Sequence, residues 1–187
     1  MPTILAHAAV PLALGLGLGT RAVSPRLLVA GIAASMAPDL DAIGLHLGVA
    51  YSDTAGHRGL THSLAFAVLL SLLATAAAGL LRTTRLRAFA FVLACAASHG
   101  LLDMLTTGGL GVAWWWPLSD TRHFLPWRVI RVSPLTLQRL MSPVGRAVMV
   151  SELWAVWLPA ALLCGGVRLV RALRGAGGAR GAAPPAG

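Results

Sequence analysis

The residues able to do chemistry in this 187-residue chain are few, and their spacing is informative. His99 and Asp103 are four positions apart, so on a helix both project from one face and can share an ion. His57 and His62 flank Gly59, a pattern typical of a loop leading into a helix. Pro38-Asp39-Leu40-Asp41 offers two carboxylates from a helix that proline interrupts. His7 stands near the start of the first apolar run, and Glu152 enters the last. A mixed set of imidazoles and carboxylates suits zinc, with manganese or iron as alternatives, whereas magnesium and calcium want fewer imidazoles. The candidate ligands are His7, Asp39, His57, His62, His99 and Asp103, more than one tetrahedral shell uses, so one or more divalent ions are expected. Two ions a few ångströms apart are a common device for phosphoester hydrolysis. In that scheme Asp41 or Glu152 completes the coordination or acts as general base, and Arg58 or Arg122 neutralises an anionic substrate group.

Each residue also has an ordinary reading. His7 or Glu152 alone is a packing residue in many membrane spans, and His99 with Asp103 can be a plain hydrogen bond. Asp39 and Asp41 can cap a renewed helix, and Arg58 or Arg122 can balance a carboxylate or a lipid headgroup. Trp114, Trp115 and Trp116 before Pro117 read as an interfacial aromatic belt.

The elements that must position these side chains are apolar. The chain is 57% hydrophobic and only 11% charged, with mean hydropathy +0.76. Soluble domains run near a quarter charged, so a soluble enzyme and a disordered chain are excluded as first readings. All fifteen basic residues are arginine, against five aspartates and one glutamate, for a net charge of +9. They cluster between apolar runs instead of lining one amphipathic face, which argues against nucleic acid and for contact with anionic lipid headgroups. Cys95 and Cys164 both lie within apolar stretches, so neither a disulfide framework nor a cysteine-rich zinc site is implied.

Five runs approach the ~20 residues that cross a bilayer, over roughly 3–19, 27–50 (interrupted at Pro38), 60–81, 86–106 and 147–169. The first has no basic leader and no small-residue cleavage site, so it is expected to remain in the mature protein. The expected fold is all-α: a polytopic helical membrane protein with about five transmembrane or membrane-embedded helices. One domain is expected over 1–174, followed by a disordered Gly/Ala/Pro-rich tail over 175–187. Alternating spans put Arg21, Arg26, Arg82, Arg85, Arg87, Arg168, Arg171, Arg174 and Arg180 on one side, which the positive-inside rule makes cytoplasmic. The same alternation gathers the candidate ligands at similar depth toward the opposite, outer side, where ionisable residues inside spans are usually functional; Asp39 and Asp41 come out deeper, and reach that depth if Pro38 lets the chain fold back.

The run His57-Arg58-Gly59-Leu60-Thr61-His62-Ser63 resembles the HRGxTHS signature of the YdjM-like family of bacterial inner-membrane metal-dependent hydrolases. Pro38-Asp39-Leu40-Asp41 resembles that family's PDxD motif, and Ser98 to Asp103 its SHxxxD helix. Thr106 to Gly109 and Trp116-Pro117-Leu118 resemble its glycine-containing turn and WP segment, and His7 matches an early histidine. These landmarks cover roughly residues 5–160. Many members carry a histidine directly after PDxD, where this chain has Ala42, so no ligand is available there. Glu152 resembles an acidic residue near the last span of some relatives.

The resemblance implies a helical inner-membrane protein with divalent-metal hydrolase chemistry. A remote similarity to zinc phospholipase C and P1-type nucleases implies phosphoester substrates. Taken together, the residues and the resemblance predict a zinc-dependent hydrolase that cleaves a lipid or lipid-linked phosphate ester at the outer membrane–water boundary. Its partner is the lipid bilayer and not nucleic acid. Two other classes compete: a non-catalytic transporter or scaffold that binds a cation in the polar cluster, and a b-type haem electron carrier with His62 and His99 as axial ligands.

Overall fold

Each apolar run folds as a helix whose ends are set by particular side chains. The computed structural model describes residues 1–134 and 136–180. A 3-10 turn over Ile4–Ala8 leads into α1 (Ala9–Leu18), which Gly19 ends at φ +74, a left-handed conformation suited to glycine. Helix α2 (Pro25–Met36) starts with proline in its first turn behind Ser24, whose hydroxyl accepts from the Leu27 amide at 3.1 Å. Its continuation at Pro38 is a 3-10 turn over Ala37–Asp41 and then the short α3 (Ala42–His46). The proline therefore changes the pitch of this run without turning the chain back.

Another 3-10 turn, Leu60–His62, precedes α4 (Leu64–Ala76), capped by Ser63 through the Phe66 amide at 3.1 Å. Helix α5 (Arg85–Met104) is capped by Thr84 and runs unbroken to the acidic end of the site. After two isolated β-bridges, Thr106 with Ile130 and Val112 with His123, come α6 (Leu137–Leu140) and α7 (Pro143–Glu152). A π-helical turn over Leu153–Trp157 then joins α7 to α8 (Leu158–Arg180). The expected tail divides: residues 175–180 continue α8, and 181–187 lie outside the described residues.

The all-helical membrane fold is therefore present, with three stretches among the described residues long and apolar enough to cross a bilayer: Pro25–His46, Arg85–Met104 and Pro143–Arg174. The other two runs form shorter apolar helices, Ile4–Leu18 and Leu64–Ala76. The third run falls short of its expected 60–81 because His62 belongs to a 3-10 turn and the chain leaves the helix after Ala76.

Alanine and glycine let the helices approach closely, as they do where lipid supplies no hydrophobic drive between helices. Leu27, Ala34, Ala67, Ala74, Phe91 and Cys95 form a buried cluster where α5 packs on α2 and α4. A second cluster (Ala6, Ala9, Ala13, Leu102, Val156, Ala160) fills the space where α8 lies on α1. Chain ends of like depth meet across the molecule. At one end Ser24 Oγ donates to the Leu81 carbonyl, Arg26 to that of Leu80 at 3.0 Å and Arg171 to that of Gly17 at 2.9 Å. At the other end lie His7, the Pro38 turn, the His62 turn and the last turns of α5, which carry the polar residues.

Candidate metal centre

Four segments distant in sequence deliver the polar side chains to one place. Asp39 comes from the 3-10 turn after α2, His62 from the turn before α4, and His99 and Asp103 from consecutive turns of α5. Each offers a ligand atom lying within 4.8 Å of those of the others, and all four side chains are buried. His62 Nε2 stands 3.6 Å from Asp39 Oδ1 and 3.3 Å from Asp103 Oδ2, and His99 Nε2 stands 3.5 Å from Asp39 Oδ1. His7, from the turn before α1, adds its Nε2 at 3.6 Å from Asp39 and 3.8 Å from Asp103. Its ring stacks on that of His99 with centroids 3.7 Å apart.

The chemistry of these atoms fits a divalent ion. Both carboxylate oxygens of Asp39 and of Asp103 are buried without a hydrogen bond, and so are the Nε2 atoms of His7, His62 and His99. Buried polar groups are almost always paired, and leaving so many unpaired in one spot is costly unless something they all coordinate lies between them. The surroundings also set the tautomers. His99 Nδ1–H donates to the Ser35 carbonyl at 2.7 Å, and His62 Nδ1 lies 3.1 Å from Asp41 Oδ2, so each ring turns its Nε2 lone pair inward. Ser35 in turn donates through Oγ to the His7 carbonyl at 2.5 Å, tying the first helix to the second at this depth. The rings of His62 and His99 lie edge to face with centroids 4.6 Å apart and share the Asp39 carboxylate, which leaves no slot for a porphyrin between them.

A second group, Asp41, His57 and His62, adjoins the first through His62. Asp41 is held on three sides: His57 Nδ1 donates to Oδ1 at 2.6 Å, while Thr61 Oγ1 at 2.5 Å and His62 both meet Oδ2. His57 thus joins the other expected ligands through Asp41 and His62. Tyr51 stands edge-on to His57 with ring centroids 5.3 Å apart. Burial lifts the Tyr51 phenol above its ordinary value against the pull of the nearby Arg58 charge.

The two arginines take structural partners. Arg58 is fully buried, with its Nε 3.0 Å from Asp103 Oδ2 and its amino groups donating to Gly108 O and Thr106 Oγ1, both at 2.9 Å. Of the two roles read from the sequence, substrate anion or carboxylate, the structure places it on the carboxylate. Its φ of +66 is a left-handed conformation that a side chain adopts only where surroundings enforce it. Arg122 donates to the backbone carbonyls of His57 at 2.9 Å, Asp53 at 3.0 Å and Tyr51 at 3.1 Å, pinning the loop that carries the histidines. Glu152 stands apart from the cluster and accepts from the Thr3 amide at 2.5 Å and hydroxyl at 2.7 Å.

Sequence reasoning did not find Ser35, Thr61 and Thr106 as supports. Each carried a signal: Ser35 is one helical turn before Asp39, Thr61 sits inside the histidine motif, and Thr106 follows Asp103 by three residues.

The family model described as YdjM inner membrane protein matches residues 1–175. The inner membrane protein YbcI of Escherichia coli (strain K12) is 50% identical over 166 residues, which is 88% of this chain and 96% of that protein. No solved structure matches the chain.

Proposed function

This chain belongs to the YdjM inner membrane protein family, and from that premise we propose that it is a membrane-embedded, divalent-metal-dependent hydrolase of phosphate esters. The observation that carries the proposal is the convergence of unpartnered, buried nitrogen and carboxylate oxygen atoms from His7, Asp39, His62, His99 and Asp103. Such a mixed donor set suits zinc, with manganese as the nearest alternative. A divalent ion in such a site lowers the pKa of water to near 7 and polarises a phosphoryl oxygen.

The chain's own residues supply the rest. Asp103 is charge-balanced by Arg58, so it stays an anionic donor at the end of α5. Asp41 holds His57 through Nδ1, which leaves Nε2 to take a proton from attacking water and return it to the leaving oxygen as the ester P–O bond breaks. The cluster lies at the end of the helices opposite Arg21, Arg26 and Arg87, which supports an outward-facing site under the positive-inside rule. A site at that depth serves a lipid or lipid-linked ester that never leaves the bilayer.

Elemental analysis of detergent-purified protein, paired with turnover of phenyl phosphate, tests this directly. Stoichiometric zinc or manganese and ester cleavage are expected, and both are expected to vanish in the His99→Ala, Asp103→Asn double variant. Metal content unchanged in that variant overturns the ligand assignment. Stoichiometric metal without cleavage of any phosphate ester favours a cation-binding scaffold or transporter.

A further inference from the structure

Beside the metal cluster the molecule holds an apolar cavity of about 780 Å³, within the ~300–1,000 Å³ of ordinary small-molecule sites. Ile4, Leu5, Leu45, Met149 and Trp157 line it, and Asp39 of the cluster forms part of its wall. Leu5 is 67% exposed and Met149 50%, so the cavity opens sideways on the apolar surface of the helices. A second cavity, of about 330 Å³, has a different character: Tyr51, His57 and Arg139 line it. The two share Met1, Ser133, Pro134 and Thr136 as walls. Asp39 thus borders the apolar chamber, and His57 the adjoining chamber with a cationic side chain.

The geometry points to one occupant, a phosphate-bearing amphiphile with a single alkyl chain. The chain lies along Leu5, Leu45 and Met149 in the larger cavity. Its phosphate meets Arg139 in the smaller one, beside His57. The argument for this occupant is complementarity at both ends. An alkyl chain leaves water or lipid for an apolar wall at no electrostatic cost, while Arg139 offers a guanidinium to a phosphate. A chain-less phosphate leaves the larger cavity unfilled, and an uncharged alcohol leaves Arg139 without an anion. The inference deepens the hydrolase reading by naming its substrate class, yet binding of the amphiphile does not depend on turnover.

Native mass spectrometry of the full chain released from non-ionic detergent reads bound ligand, bound ion and copy number together. The probes are dodecyl phosphate, dodecanol and phenyl phosphate. Dodecyl phosphate is expected to form a one-to-one adduct, with dodecanol and phenyl phosphate each at least about tenfold weaker because each lacks one half of the complementarity. Leu45→Trp and Met149→Trp, which fill the larger cavity independently, are each expected to weaken the adduct about tenfold, as is Arg139→Glu, while Leu118→Trp on the exposed surface changes nothing. An unchanged far-ultraviolet circular dichroism spectrum and thermal melt certify that each variant is folded.

Undiminished binding in all three cavity variants overturns the inference, and so does dodecanol binding as tightly as its phosphate. A wild-type dimer that the two tryptophan variants split assigns the cavity to a second copy of the chain and also overturns it. If the cavity variants lose the adduct but the wild type neither holds an ion nor cleaves phenyl phosphate, the amphiphile site stands and the hydrolase reading falls. If phenyl phosphate is cleaved and the adduct ignores the cavity, the reverse holds.

Discussion

At the scale of single residues, Asp41 and Arg58 separate support from coordination. Asp41 makes its contacts with His57, Thr61 and the far nitrogen of His62, so it sets ring orientation without facing the main cluster. Groups that orient metal ligands typically cost 10–100-fold in affinity when lost. Asp41→Asn is accordingly expected to weaken ion binding by about that factor, read by competition with a chromophoric chelator, while the protein stays folded. Equal affinity in the two proteins would remove Asp41 from this role. Arg58 is the one arginine in ion-pair contact with Asp103 among the described residues, and both are fully buried. Removing one partner of a buried pair strands the other charge, so Arg58→Ala is expected to lower stability by about 3–5 kcal/mol in chemical denaturation. Arg58→Lys keeps the charge but not the planar fork that reaches Asp103, Thr106 and Gly108 together, and is expected to recover only part of the loss.

At the scale of elements, the site depends on how closely the His62 turn lies on α5. A Cβ built at Gly100 would meet the His62 carbonyl oxygen at 2.8 Å and the Trp114 ring at 2.8 Å. Gly100→Ala is therefore expected to push the turn off the helix, costing about 1–3 kcal/mol and reducing ion occupancy through a residue that ligates nothing. Gly166 in α8 offers the contrast, since nothing lies within 4 Å of its Cβ position. Gly166→Ala is expected to be neutral or to stabilise by about 0.5–1 kcal/mol, with ion content unchanged. Matched thermal melts with elemental analysis check both. A Gly100→Ala protein with full ion content and unaltered melting would refute the packing account.

At the scale of the whole molecule, the ion is expected to act as a cross-link. His7, Asp39, His62 and the α5 pair belong to four separate helical segments, so an ion binding the folded form alone adds RT ln(1 + [L]/Kd), about 2.7 kcal/mol at a hundredfold excess over Kd. Chelation is expected to lower the melting temperature reversibly, with zinc restoring it. Melting indifferent to chelator in a protein shown to contain the ion contradicts this. Much of this assembly was legible in the sequence. Spacing put His99 and Asp103 on one face, and alternation of spans brought His7 and His62 to the same depth as that pair; Asp39 reaches it through the 3-10 turn after α2, without the fold-back expected at Pro38. The division of labour between Asp39 and Asp41 was not legible. It follows from the 3-10 turn over Ala37–Asp41, where three residues complete a turn and positions two apart face different ways. Glu152 was equally opaque, because only the packing of α7 against Thr3 decides what that carboxylate meets.

The order of the ligands along the chain has a consequence for biogenesis. His7, Asp39, His62, His99 and Asp103 all precede α7 and α8, which together span Pro143 to Arg180. A nascent chain emerging from the ribosome therefore presents every candidate donor before its last long helix is synthesised. On the proposed reading the donor set is therefore complete in the chain before the last long helix packs on α1.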